Sequence, residues 1–242
     1  MVMLETLKRY LGNGWVEFDT TCTYASADDP TYTMYVAGNA TTYLWAGMRF
    51  KCTQTTDRMF IITAVGTYDS GNNRTPITLY GGTDFDLANA TISNPYYSPV
   101  KCPYGFPMSP AKWTVSLVDD NSRAQASPTQ NAWYNLNSSS ISVPIGVWNV
   151  QFSAITGAEK ATGDYLNSYI TLSTANNSAS TSAYTSRLES ALDTFIIGNV
   201  SKSFVLTLTS KTTYYVNTRT TTASVTNIYR ENLQLFATCA YL

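Results

Sequence analysis

Met59-Phe-Ile-Ile-Thr-Ala-Val65, then Tyr68-Asp-Ser-Gly-Asn-Asn-Arg74, then Ile77 and Leu79, is the stretch that decides the fold class. Phe60, Ile62 and Ala64 interleave with Met59, Ile61 and Thr63, so the first run is apolar on both faces. A strand of that kind belongs in the middle of a sheet, with something packed on each side. The polar run after it is a turn, and Ile77 with Leu79 begins the returning strand. Upstream the same alternation recurs: Met34 and Val36 oppose Thr33 and Tyr35, and Met48, Phe50 and Cys52 oppose Arg49 and Lys51. Residues 15–99 therefore read as a small β-domain.

Both flanks of this domain differ from it. Leu4, Leu7 and Leu11 fall at helical spacing before Gly12-Asn13-Gly14, so residues 1–14 read as a short helical anchor that must dock on something to persist. On the other side, prolines stand at 95, 99, 103, 107 and 110. Each ring fixes φ and removes a backbone donor, which excludes helix and interior strand and makes residues 100–110 a stiff connector. Beyond it Trp113, Val115 and Leu117 share a face, as do Trp148, Val150 and Phe152; Phe204, Leu206 and Leu208; and Leu233, Leu235, Ala237 and Cys239. Residues 111–242 read as a β-sandwich, with a single helical turn compatible with the spacing from Ser186 to Leu192. The expected fold is all-β: a short helix, a small β-domain, a Pro-rich connector and a C-terminal sandwich.

Composition narrows the function classes. Charged residues make up only 13% of the 242, and the polar complement is Thr, Ser, Asn and Tyr, which suit sheet surfaces and turns. A net charge of −1 gives no electrostatic case for nucleic acid, and no apolar run is long enough to span a membrane. The N-terminus lacks the basic start and apolar run of a secretory signal, so synthesis in a cytoplasm is expected. Histidine is absent, which removes Ser-His-Asp and Cys-His nucleophile pairs and the common zinc sites. Cys22, Cys52, Cys102 and Cys239 have no metal-type spacing and are expected to be buried free thiols.

Two stretches carry a resemblance. Ile141-Ser-Val-Pro-Ile-Gly-Val-Trp-Asn-Val-Gln-Phe152 resembles the Pro-x-Gly-x-Trp strand start of TNF/C1q-like jelly rolls. The later runs Phe204-Val-Leu-Thr-Leu-Thr209, Thr212-Thr-Tyr-Tyr-Val-Asn-Thr218 and Leu235-Phe-Ala-Thr-Cys-Ala-Tyr-Leu242 follow the same order. Tyr32 to Asn39, Trp45 to Cys52, Met59 to Gly66 and Thr75 to Tyr80 are similar to small β-modules of phage tail proteins. The resemblance implies a structural protein of a tailed bacteriophage virion, made in the host cytoplasm and trimeric through the jelly roll. It would be a tail or baseplate fibre that attaches to other virion proteins through its N-terminal part and contacts a host surface glycan or protein. A capsid head fibre or decoration protein, or a tail adaptor binding only its virion neighbours, is the alternative placement. No catalytic residue, cofactor or metal comes with the resemblance, and the expectation is that the chain is not an enzyme.

The residues themselves offer few chemical constellations. Asp28-Asp29, Asp84-Phe-Asp86, Asp119-Asp120-Asn121 and the loop Asp69-Ser-Gly-Asn-Asn73 are acidic, but none matches a calcium-loop pattern, and solvated turns explain them. Eighteen tyrosines and five tryptophans are the more telling feature, because these side chains give large contact area at low entropy cost. Tyr96, Tyr97, Tyr104, Phe106, Tyr214 and Tyr215 are the candidates for trimer or receptor contact, with a place in the sheets or core as the alternative.

Overall fold

The computed structural model describes residues 13–242. The helix expected from Leu4 to Leu11 lies outside the described residues. The N-terminal unit is one seven-stranded antiparallel sheet built from β1 (Val16–Glu17), β2 (Cys22–Asp28), β3 (Thr31–Ala37), β4 (Arg49–Gln54), β5 (Thr56–Val65), β6 (Arg74–Tyr80) and β7 (Ser93–Ser98), in the order β1-β7-β4-β5-β6-β3-β2. Its two edge strands are consecutive in the chain, so the sheet curls around a core of Met34, Val36, Met48, Phe50, Phe60, Ile62, Ile77 and Leu79. The doubly apolar β5 is central, as its sequence requires.

The C-terminal unit comprises β8 (Thr114–Asp119), β9 (Arg123–Ala126), β10 (Ser140–Val143), β11 (Gly146–Ser173), β12 (Thr185–Leu208), β13 (Thr212–Arg219) and β14 (Val225–Cys239). β11 and β12 form a hairpin of 28 and 24 residues. Its register is interrupted between Glu159 and Leu166, and there the hairpin bends over. The half of β11 before the bend pairs with β14 and the half after it with β13. One continuous sheet thus supplies two layers. Layer one holds β10, β13, residues 166–173 and residues 185–190; layer two holds β8, β14, residues 146–159 and residues 195–208. The open side is closed by Tyr184 stacked on Phe204 at 4.2 Å and by Lys202 donating from Nζ to the Thr185 carbonyl at 2.9 Å. Between the layers lie Ile170, Leu172, Tyr214 and Val216 against Trp148, Val150, Phe152, Leu206 and Leu235. The helical turn compatible with Ser186–Leu192 does not form. That stretch instead continues a strand, and one short 3-10 turn precedes it at Ser182–Tyr184.

The two units share a core. Ile61 and Tyr80, on the outer side of the first sheet, join the apolar cluster of the sandwich. Tyr80 meets Trp148 at 5.0 Å and Trp113 at 5.9 Å, and Phe106 stacks on Trp113 at 5.1 Å. The Pro-rich segment therefore delivers its aromatic side chain into the junction. Arg49, fully buried, donates to three carbonyls, those of Gly47 (2.8 Å), Lys101 (3.1 Å) and Tyr241 (2.6 Å). Close approach also explains Gly146 of the Pro-x-Gly-x-Trp motif. Its φ is +128°, and a Cβ there would lie 3.2 Å from that of Thr63 in the other unit.

Candidate functional site

The sandwich presents two outer faces, and layer two has the more unusual one. Residues directly paired across antiparallel strands point the same way, so the register gives the rows of this face. Thr114, Thr238, Asn149 and Val205 form one row; Ser116, Phe236, Gln151 and Ser203 the next; Val118, Gln234, Ser153 and Ser201 the third. No side chain in these rows carries a charge. The three large apolar ones stand in solvent: Val205 at 58%, Val118 at 51% and Phe236 at 38% exposed. A shallow depression of about 390 Å³ lies over Asn149, Gln151, Ser203, Val205, Phe236 and Thr238. An open sheet face normally turns polar and charged residues to water. This one turns amides, hydroxyls and isolated apolar side chains.

Beneath the edge of that face the charges are concentrated and hidden. Asp119 at the end of β8 accepts from Arg123 at 3.0 and 3.1 Å and from Nη2 of Arg230 at 2.7 Å, and Arg230 is fully buried. Arg230 also donates to Ser139 Oγ at 2.7 Å. The hydrogen bonds from Arg123, reinforced by Asn121 and the Arg230 charge, hold the Asp119 carboxyl well below the usual carboxylate range. Asp119 is thus a packed ion-pair partner rather than a solvated turn residue. Among the described residues no group of three His, Cys, Asp or Glu side chains is placed to hold a metal ion.

The six aromatic candidates fall in four places. Phe106 and Tyr214 are buried in the shared core, where no partner reaches them. Tyr97 packs inside the first unit against Phe18 (4.9 Å) and Tyr43 (5.6 Å), while Tyr96 lies under the Lys51 ammonium at 4.7 Å. Tyr215 is half-buried on β13. Tyr104, 83% exposed, is the one of the six that stands well out in solvent, on a loop pinned by Trp15 Nε1 donating to its carbonyl at 2.9 Å. The structure does not bring the six together. Phe236 and Val205 sit out of phase within runs otherwise apolar, so the alternation that marks these strands does not mark the exposed face. The signal was present: Leu235, Phe236 and Ala237 in succession cannot all face one core. The cysteines depart from expectation at one position. Cys22, Cys52 and Cys239 are buried, with burial pushing their thiols up to about 12, 12 and 11, but Cys102 is exposed on the Pro-rich segment.

No protein-family model matches the chain, and no curated protein matches it in sequence. Solved structures similar to it include one of infectious bursal disease virus Gx strain, with a TM-score of 0.34 and 11% identity, covering 92% of this chain and 55% of that one. The T=1 particles derived from infectious bursal virus give a TM-score of 0.28 and 10% identity over 98% of this chain and 74% of that one. The CBM22-1-CBM22-2 tandem of Paenibacillus barcinonensis Xyn10C gives a TM-score of 0.25 and 8% identity, with 94% and 95% covered. The chain thus spans about half the length of the first. Likenesses at this level carry no argument about function.

Proposed function

We propose that this chain is a non-catalytic structural subunit of a virus particle, a fibre-like component of a tailed phage. Copies of it assemble around a three-fold axis through the outer face of layer two, and the assembly contacts the host surface. The uncharged face carries the reading. Around a three-fold axis the β8 flank of one copy meets the β12 flank of the next, with Phe236 between them. Neither flank brings like charges together, and Val118, Phe236 and Val205 leave water. The N-terminal part attaches to neighbouring virion proteins. Light scattering on the purified chain tests the assembly: a mass near three times 26.6 kDa is expected, falling to one copy in Phe236→Glu with the β-sheet circular dichroism spectrum kept. A monomeric wild-type protein at micromolar concentration would overturn the assembly.

A further inference from the structure

The outer face of layer one differs in chemistry. β11 places Tyr169 directly between Arg219 of β13 and Arg187 of β12. The Arg219 guanidinium lies 5.0 Å from the Tyr169 ring and 4.4 Å from that of Trp133, and Arg187 lies 5.9 Å from Tyr169 on the other side. Trp133 is held at the edge of β13 by the paired backbone hydrogen bonds of Tyr134 and Thr218, both 2.8 Å. The result is a row across three strands and an adjoining loop: indole, guanidinium, phenol, guanidinium.

The two arginines are not equivalent. Arg187 is paired with Glu189 at 3.1 Å, and Glu189 also accepts from the Tyr165 hydroxyl at 2.6 Å. Arg219 has no carboxylate within ion-pair distance among the described residues, and its Nε is buried without a hydrogen-bond partner. A guanidinium stacked on aromatic rings is held flat while its in-plane N–H groups stay available, and those groups match the paired oxygens of a carboxylate or phosphate.

We propose that Trp133, Arg219, Tyr169 and Arg187 form a binding strip for an acidic polysaccharide, with Arg219 taking the anionic group and the rings packing against the sugar. Arg219 and Arg187 stand two strand spacings apart, roughly 9–10 Å, so successive acidic groups of one polymer reach both. A straight row across a sheet, between Asn217 and Asn167 that loops cover, suits a chain of rigid rings, whereas a peptide draws specificity from side-chain pockets or a free sheet edge. The proposal rests on the host-contact part of the reading above and specifies its ligand chemistry.

The experiment is calorimetric titration of the full chain with polysialic acid, a glycerol-phosphate polymer and neutral dextran, at low and moderate salt, with the mass of each protein measured in parallel. Binding of a charged polymer and not of dextran is expected. Arg219→Ala and Trp133→Ala should each weaken it by roughly ten- to a hundredfold, with mass unchanged and the melting temperature lowered by no more than about 4 °C. A preference for the carboxylated or the phosphorylated polymer identifies which oxyanion Arg219 takes. No binding by a protein of intact trimeric mass would overturn the strip and leave the assembly standing, whereas a monomer that binds would do the reverse. Binding equal in wild type and Trp133→Ala would reduce the effect to diffuse charge attraction and also overturn the strip.

Discussion

The two outer faces of the sandwich share two strands, β11 and β12, on either side of one bend. Before the bend the outward residues of β11 include Asn149, Gln151 and Ser153; after it the outward residue is Tyr169, flanked by Arg187 and Arg219. Backbone pairing is alike on both sides, so the contrast lies wholly in side chains that contribute little to the fold. A face stripped of charge suits contact with copies of itself, and a face of stacked cations suits an anionic partner. The strand that joins them keeps the two faces on opposite sides of one body.

The comparison breaks most readily from beneath. Asp119 lies next to exposed Val118 on β8 and neutralises fully buried Arg230. Asp119→Ala leaves that guanidinium unpaired, and urea unfolding should show a loss of about 3–5 kcal/mol, with layer two the part that loosens. The same pair gives a pH dependence of known sign. The folded-state value of Asp119 is depressed, so its contribution is full above the unfolded value of about 3.9 and is lost as pH falls below that. The stability gap between wild type and Asp119→Asn should therefore narrow on acidification below about pH 4. On the cationic face, Arg219→Ala removes stacking on two rings and should lower stability by about 0.5–1 kcal/mol. On the uncharged face, Val205→Lys should change the unfolding free energy of the single subunit by no more than about 0.5 kcal/mol while lowering the solution mass. A thiol reagent sharpens the picture at no cost in stability: Cys102 should react in the native protein, and Cys22, Cys52 and Cys239 only on unfolding.

The strand content was open to reading in the sequence because alternation at β3, β4 and β14, and the doubly apolar run of β5, are direct imprints of faces turned inward. The bend in the hairpin was not. It depends on residues 159–166 losing register, and no side chain there announces a change of partner from β14 to β13. Aromatic residues were legible as important but not as to place. Phe106 and Tyr104 are two positions apart on one Pro-rich segment, yet one is 5% and the other 83% exposed, because only Phe106 finds Trp113 to stack on. The cationic row was invisible for a similar reason: Trp133, Tyr169, Arg187 and Arg219 span 87 positions and meet only through cross-strand register.

The bent hairpin also has a mechanical meaning. In a sandwich whose layers are linked by flexible loops, a pull between opposite faces falls first on those loops and then on the packing between the sheets. Here β11 and β12 pass from one layer to the other together, as one hairpin whose regular pairing lapses only between Glu159 and Leu166. Tension between the two outer faces runs along two strands that are hydrogen-bonded on both sides of the bend. A chain built this way resists tearing along its own midplane.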